Sequence, residues 1–254
     1  MGRIWLIGGT RDSARAAEVI AALGLPCTVT VASAPAAALY PQTPYLQVRV
    51  GRMAPEALDG FLQQAGIAAV VDASHPHASA ISQGAMTAAA RQGVPYLRYE
   101  RPELPAGAGT SEFPNFEALL ASDRLRGERV LLAVGYRPLA RFAPWQEAAT
   151  LFARVLPRAP SLQAAQEAGF SPDRIVALRP PLGAELERAL WRHWQVSLVV
   201  TKASGSTGGE AIKRRVAAEL GVPLIAIARP QLAYPQQTSE LQEVVAFCRR
   251  QLAP

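Results

Sequence analysis

Lys202-Ala203-Ser204-Gly205-Ser206-Thr207-Gly208-Gly209 follows the β-branched run Val199-Val200-Thr201 and precedes Glu210 to Leu220, where Ile212, Val216 and Leu220 share one helical stripe. A strand that breaks into a Gly- and Ser-rich turn and then enters a helix gathers unpaired backbone N–H groups at the positive end of a helix dipole. Such a point suits a phosphate or carboxylate. Lys202, one of two lysines in the chain with Lys213, stands at the strand end as a catalytic candidate. Ser204, Gly205, Gly208 and Gly209 are the ligand-facing candidates of the loop. The alternative is an ordinary flexible strand–helix connection.

Gly8-Gly9-Thr10, after Arg3-Ile-Trp-Leu-Ile7, has the small residues of a dinucleotide turn without the full G-x-G-x-x-G spacing. The second strand closes Val31-Ala32-Ser33, with no acid to take a ribose 2′-hydroxyl. A Ser there, with Arg11 nearby, favours a 2′-phosphate, hence NADPH, with NADH as the other possibility. Gly8, Gly9, Thr10, Arg11 and Ser33 are therefore cofactor-facing candidates. Ser74, in Val71-Asp72-Ala73-Ser74-His75-Pro76-His77 at the same edge of the sheet, joins them. Asp72 could orient a partner, and His75 could hydrogen-bond a ligand or pass a proton near neutral pH; the alternative is that His75 and Pro76 shape a rigid turn.

Arg98, Arg101 and Arg229 lie at or past strand ends, and a proline follows each of the last two. Guanidinium forks suit carboxylates, so all three are candidate substrate clamps; the alternative is salt bridging that ties sheet ends to helices. Three histidines at no ligand spacing give no metal site, and nucleophile elbow, P-loop and Cys–His signatures are missing. The net charge of +6 comes from scattered arginines, which argues against nucleic acid and for a small polyanionic ligand. No apolar run is long enough to span a bilayer, and Cys27 and Cys248 match no redox spacing, so a cytoplasmic protein is expected. Oligomeric state is not readable.

Strands alternating with helices imply parallel pairing through right-handed crossovers. The second half repeats the first: Arg3 to Arg11 aligns with Arg129 to Arg137, and Val70-Val71 with Val199-Val200. Gly93-Val94-Pro95 … Arg101-Pro102 recurs as Gly221-Val222-Pro223 … Arg229-Pro230. The fold expected is α/β, two related Rossmann-like units with parallel sheets flanked by helices and a ligand cleft between them. The expected units are 1–110, with the dinucleotide-like turn, and 111–254, with the Lys/Ser/Gly-rich loop. The seam falls between Pro105 and Arg129, with a linker starting at Pro105-Ala-Gly-Ala-Gly-Thr. A C-terminal helix from Thr238 packs Val244, Val245, Phe247 and Cys248 on a sheet.

Together these stretches resemble the precorrin-6A reductase family of cobalamin (corrin ring) biosynthesis. The resemblance is carried by Ile4-Trp-Leu-Ile-Gly-Gly-Thr10, Val71 to Ser82, Pro95 to Pro102, Lys202 to Gly209 and Pro223 to Pro230. It implies a two-domain oxidoreductase that delivers hydride from NADPH to a ring double bond of precorrin-6A, giving precorrin-6B. The substrate would be a small-molecule polycarboxylate tetrapyrrole. Two alternatives remain: the same reduction on cobalt-precorrin-6A with NADH, or a non-catalytic dinucleotide-sensing module. The chain departs from the family pattern at Asp12, where Glu is common, and at Ala133-Val134-Gly135-Tyr136-Arg137-Pro138, where the second unit usually opens with a Thr/Gly/Ser/Lys-type turn.

Overall fold

Five-residue β1 (Arg3–Ile7) has almost no polar side chain, as a parallel strand covered on both faces requires. Its neighbours in the computed structural model, which describes residues 2–105, 107, 109–180 and 182–252, confirm that environment. Ile4 and Leu6 pack into one apolar cluster, while Trp5 and Ile7 pack into another on the opposite face. This is the two-residue alternation of a pleated strand. Trp5 is fully buried because its indole N–H finds Thr30 Oγ1 at 2.8 Å.

The first unit continues with α1 (Arg11–Ala22), β2 (Cys27–Val31), α2 (Ala34–Ala37), β3 (Leu46–Val50), α3 (Leu58–Gln64), β4 (Ile67–Asp72), α4 (Ser79–Arg91) and β5 (Tyr96–Tyr99). The second holds β6 (Thr110–Phe113), α5 (Phe116–Leu120), β7 (Arg129–Ala133), β8 (Thr150–Val155), α6 (Ala159–Glu167), β9 (Ile175–Ala177), α7 (Ala184–His193), β10 (Leu198–Lys202), α8 (Glu210–Leu220) and β11 (Leu224–Ile227). The chain ends with β12 (Gln237–Thr238) and α9 (Leu241–Leu252).

Each unit carries a six-stranded sheet, ordered β12-β5-β4-β1-β2-β3 in the first and β6-β11-β10-β7-β8-β9 in the second. Every strand pairing is parallel. The expected duplication is visible in that order: β5, β4, β1, β2 and β3 correspond to β11, β10, β7, β8 and β9. The second core alternates as the first does, with Val130 and Leu132 on one side of β7 and Leu131 on the other.

The sixth strands correct the expected unit boundaries of 1–110 and 111–254. The compact units are the chain through Pro102 together with the segment from Gln231, and Glu103 to Pro230. Pro102 and Pro230 therefore end the two units at equivalent places, and neither can donate a backbone N–H to extend a ladder. Thr110 pairs with Leu224 of the second sheet, so the residues before 111 already belong to that unit. Gln237 and Thr238 pair with Arg98 and Tyr99 of the first. Val244, Phe247 and Cys248 of α9 are buried beside Ile4, Leu6 and Val29 of the first core. The apolar stripe of α9 foretold a packing face, but a stripe carries no label for the sheet that covers it. Within the expected linker start, Ala106 and Ala108 lie outside the described residues.

Candidate functional site

In the first unit the candidates collect at the carboxyl ends of the strands, where open parallel sheets take ligands. Gly8 accepts no side chain, because a Cβ there would collide with the Tyr40 hydroxyl. Gly9 has φ +105°, with nothing within 4 Å of where a Cβ would stand, so the turn is open on that side. Thr10 caps α1: its hydroxyl oxygen accepts the Ser13 N–H at 3.0 Å, while Ser13 Oγ accepts the Thr10 N–H at 3.0 Å. The same Thr10 hydroxyl donates to the Ala73 carbonyl at 2.9 Å, joining the first turn to the β4 loop. Helix α1 thus begins at Arg11, directly after its Thr10 cap. Arg11 is exposed at the first position of α1. Ser33 is half-buried just past β2, in extended backbone before α2.

Tyr40 escaped the sequence reading. Its hydroxyl accepts the Gly9 N–H at 2.7 Å and lies 2.6 Å from Ser13 Oγ, so one amide of the turn is already satisfied internally. Burial pushes its phenol pKa up, so it stays neutral. No local spacing links Tyr40 to Gly9 or Ser13, and only the folded chain brings them together.

The loop after β4 stands on a buried charge. Asp72 and Arg98 both have no exposed side-chain surface and pair at 2.9 Å across neighbouring strands. Asp72 Oδ1 also accepts the Ser74 N–H at 2.9 Å, and Oδ2 accepts the hydroxyls of Ser82 and Tyr96, each at 2.6 Å. Arg98 Nη1 donates to Ser74 Oγ at 3.1 Å, and its Nε pairs with Glu100 at 3.1 Å. Burial opposes the Arg98 charge, yet Asp72 and Glu100 more than offset it and hold the guanidinium protonated. Burial first, and the Asp72 carboxylate second, keep Tyr96 a neutral donor.

Two expectations change here. Arg98 does not stand as an exposed carboxylate clamp; it is an internal counter-ion, the salt-bridging alternative. Ser74 is buried with its hydroxyl between Arg98 and Ser82, so its side chain faces inward rather than toward a cofactor. Beyond it, His75 is exposed, and its Nδ1 accepts the His77 N–H at 3.2 Å. Arg101, past β5, pairs with Asp12 in the first turn of α1.

The second unit brings its own candidates together. Lys202 is half-buried at the end of β10, with Nζ 5.9 Å from the centroid of Phe116. Burial, reinforced by the Arg137 guanidinium, pulls its pKa down to about 8. Gly205 (φ +71°, ψ −176°) and Gly209 (φ +76°, ψ +11°) bracket a single tight turn over Ser206–Gly208. The Gly205 backbone falls in a region almost reserved for glycine. Ser204 is buried and Gly208 half-buried. Arg229 is mostly buried; its Nε donates to the Ala203 carbonyl at 3.2 Å and lies 3.4 Å from Glu103. The contact with the Ala203 carbonyl brings Arg229 to the base of the Lys202 loop. Among the described residues no group of three or more His, Cys, Asp or Glu is placed to hold a metal ion. No described helix is long and apolar enough to cross a membrane.

Two parallel, helix-flanked sheets, each ending in a glycine turn that opens a helix, define a Rossmann-like α/β protein with the architecture of a nucleotide-dependent enzyme. Comparison with known proteins is specific. The model of the family described as precorrin-6x reductase CbiJ/CobK matches residues 3–249. A cobalt-precorrin-6A reductase from Synechocystis sp. is 48% identical over 99% of this chain and 98% of its own. A precorrin-6A reductase from Rhodobacter capsulatus is 30% identical over 97% of this chain and 96% of its own. The solved structure titled CobK precorrin-6A reductase superposes with a TM-score of 0.82 at 28% identity, covering 100% of this chain and 98% of that one. The chain belongs to the precorrin-6x reductase family.

Proposed function

We propose that this chain catalyses the NADPH-dependent reduction of a ring double bond of precorrin-6A to give precorrin-6B in cobalamin biosynthesis. The observation that carries the reading is the family match over residues 3–249, which spans both the Gly8–Thr10 turn and the Lys202–Gly209 loop. The family is one of oxidoreductases that need a nicotinamide cofactor. The residues present fit such a group: Gly9 leaves the first turn open, and α1 begins there with Arg11 exposed in its first turn. Gly9, Thr10, Arg11 and Ser33 would hold its phosphates and ribose. The acid-free end of β2 and the Arg11 guanidinium favour the 2′-phosphorylated form. The reduced nicotinamide supplies a hydride, and solvent or an enzyme group supplies the accompanying proton.

The chain's own contribution is orientation and charge. Arg101 and Arg229, set past the last strand of each duplicated half, are the guanidinium groups for the macrocycle's carboxylates. Lys202, with its proton held only weakly, stabilises negative charge or returns a proton near neutral pH. His75, exposed on the β4 loop, is the second candidate for that proton.

The test is anaerobic incubation with precorrin-6A and NADPH, following cofactor fluorescence and pigment absorption. One NADPH consumed per macrocycle is the expected result; no oxidation with any pairing of tetrapyrrole and cofactor would leave the dinucleotide-sensing module instead. In single-turnover experiments Lys202→Ala slows hydride transfer or product protonation, and parent rates in both Lys202→Ala and His75→Ala would remove both assignments. A second reading, reduction of cobalt-precorrin-6A with NADH, is favoured by the 48% identity to the Synechocystis protein against 30% to the Rhodobacter one. Running each tetrapyrrole with each cofactor separates the two.

A further inference from the structure

The glycine loop after β10 is tied at both hinges by side chains of the helix that follows it. Glu210, the first residue of α8 and 1% exposed, turns its Oε2 back to accept the Gly205 N–H at 2.7 Å. Its Oε1 accepts Arg214 Nε at 2.8 Å. Three residues along the same helix, Lys213 is 3% exposed and donates Nζ to the Gly209 carbonyl at 3.0 Å. Lys213 faces Arg154 from β8, Glu187 from α7 and Glu210 from its own helix. Arg154 and Glu187 form an ion pair, and the Trp191 indole N–H donates to Glu187 Oε2 at 3.1 Å.

Burying this many charges gains little net stability, because desolvation cancels most of the attraction, and an apolar cluster of the same volume would serve as well. What the charges supply and apolar groups cannot is a donor and an acceptor aimed at one carbonyl and one amide of a loop. We propose that Glu210 and Lys213 are positioning residues for the reaction: they hold the two glycine hinges of the Lys202–Gly209 loop in the arrangement that presents its backbone and Lys202 to ligand. This rests on the reading of that loop as part of the ligand site. Burial, and then Arg154, also holds the Lys213 pKa down at about 8.

The experiment compares the parent with Glu210→Ala, Glu210→Gln and Lys213→Met, each measured well below its melting temperature and normalised to folded protein. Two readouts are taken: amide hydrogen exchange over 203–210, and kcat and KM for cofactor and tetrapyrrole. In Glu210→Ala, exchange at 205–209 accelerates while the β10 and β11 amides keep parent protection. Its kcat and kcat/KM fall together by about ten- to a hundredfold, the loss expected when reacting groups are displaced on the order of 1 Å. Glu210→Gln, which keeps an oxygen for the Gly205 amide, recovers most of that loss, and Lys213→Met, which cannot donate to Gly209, reproduces the effect. A purely structural role would lower the melting temperature and leave kcat of the folded protein at the parent value.

The inference is overturned if Glu210→Ala and Lys213→Met both keep kcat within about twofold of parent, or if exchange at 205–209 is unchanged. Should one variant not fold, the other decides by the same criteria. Failure of the functional reading looks different: the parent itself then shows no turnover with any tetrapyrrole, and the role assigned to the loop falls with it.

Discussion

At the tip of β4 the following loop is held by a strand residue; at the tip of β10 it is held by a helix. The two positions correspond in the duplicated sheets, since Asp72 pairs in register with Arg98 and Thr201 with Ala226. The first unit places an acid and a base on adjacent strands, and the carboxylate reaches the loop amide of Ser74. The second has a hydroxyl and a methyl at those places, and the carboxylate that reaches its loop comes from Glu210, five residues after Gly205. One architecture thus solves the same problem twice, fixing the turn after a strand through a buried carboxylate, with different residues. The two halves share their strand order, while the residue that supplies the carboxylate differs.

The sharpest way to break this comparison is at Asp72. Asp72→Ala leaves the buried Arg98 guanidinium with Glu100 but without its partner on β4, and strips acceptors from Ser82, Tyr96 and the Ser74 amide. It should cost about 3–5 kcal/mol in urea denaturation. Thr201→Val at the corresponding place should stay within about 1.5 kcal/mol. Equal losses would mean that the two strand tips do not differ as described.

The first turn gives the next largest effect. Gly8→Ala drives a methyl group against Tyr40 and should destabilise the fold by about 1–3 kcal/mol. Dinucleotide affinity, read by fluorescence titration, should fall with it. If Gly8→Ala,Tyr40→Phe binds no better than Gly8→Ala, the clash with the hydroxyl is not the cause.

A pH series addresses the second loop. Lys202 and Lys213 each have a folded pKa of about 8, below the usual lysine value of 10.5. Between those values each lysine binds more protons in the unfolded chain than in the folded one, so the lysines' contribution to stability rises with pH from about 8 toward 10. Below pH 8 both states are protonated and this contribution is flat. The buried Cys27 and Cys248 thiols, whose pKa values burial raises, act in the opposite sense above about pH 9, so the lysine contribution is read as the stability difference between parent and Lys213→Met at pH 7, 8, 9 and 10, which should widen with pH. A parent slope retained in Lys213→Met would sink the assignment. Over the same range Lys202 loses its charge, so carboxylate binding that depends on it weakens above pH 8.

Smallest of all is the Arg101–Asp12 pair, partly exposed on both sides. Arg101→Ala should change stability by about 0–1 kcal/mol. Its KM for the tetrapyrrole should nonetheless rise if the guanidinium meets substrate, which separates a clamp from a surface tie.

How much of this was legible along the chain follows from how local each signal is. Strand and helix positions, the duplication, the parallel sheets and the glycine turns all come from patterns within about a dozen residues, and the structure has them where the patterns lie. Five short strands and helices escaped notice: α2, β6, α5, β9 and β12. Each is at a sheet edge or joins one, and half-covered pieces of two to five residues carry almost no periodicity. The Arg98 position was found, but its role was reversed. A guanidinium at a strand end looks the same in sequence whether it faces solvent or a carboxylate on the neighbouring strand.

By itself, the order of residues determined the elements and the kind of ligand they suit, because backbone geometry and apolar periodicity are read over one or two turns or a single strand. Only the tertiary structure decided that α9 returns to the first sheet, that the Tyr40 hydroxyl takes the Gly9 N–H, and that Asp72 and Glu210 face inward to hold loops. Those outcomes depend on which distant surfaces exclude water together, and buried charges choose partners across space rather than along the chain.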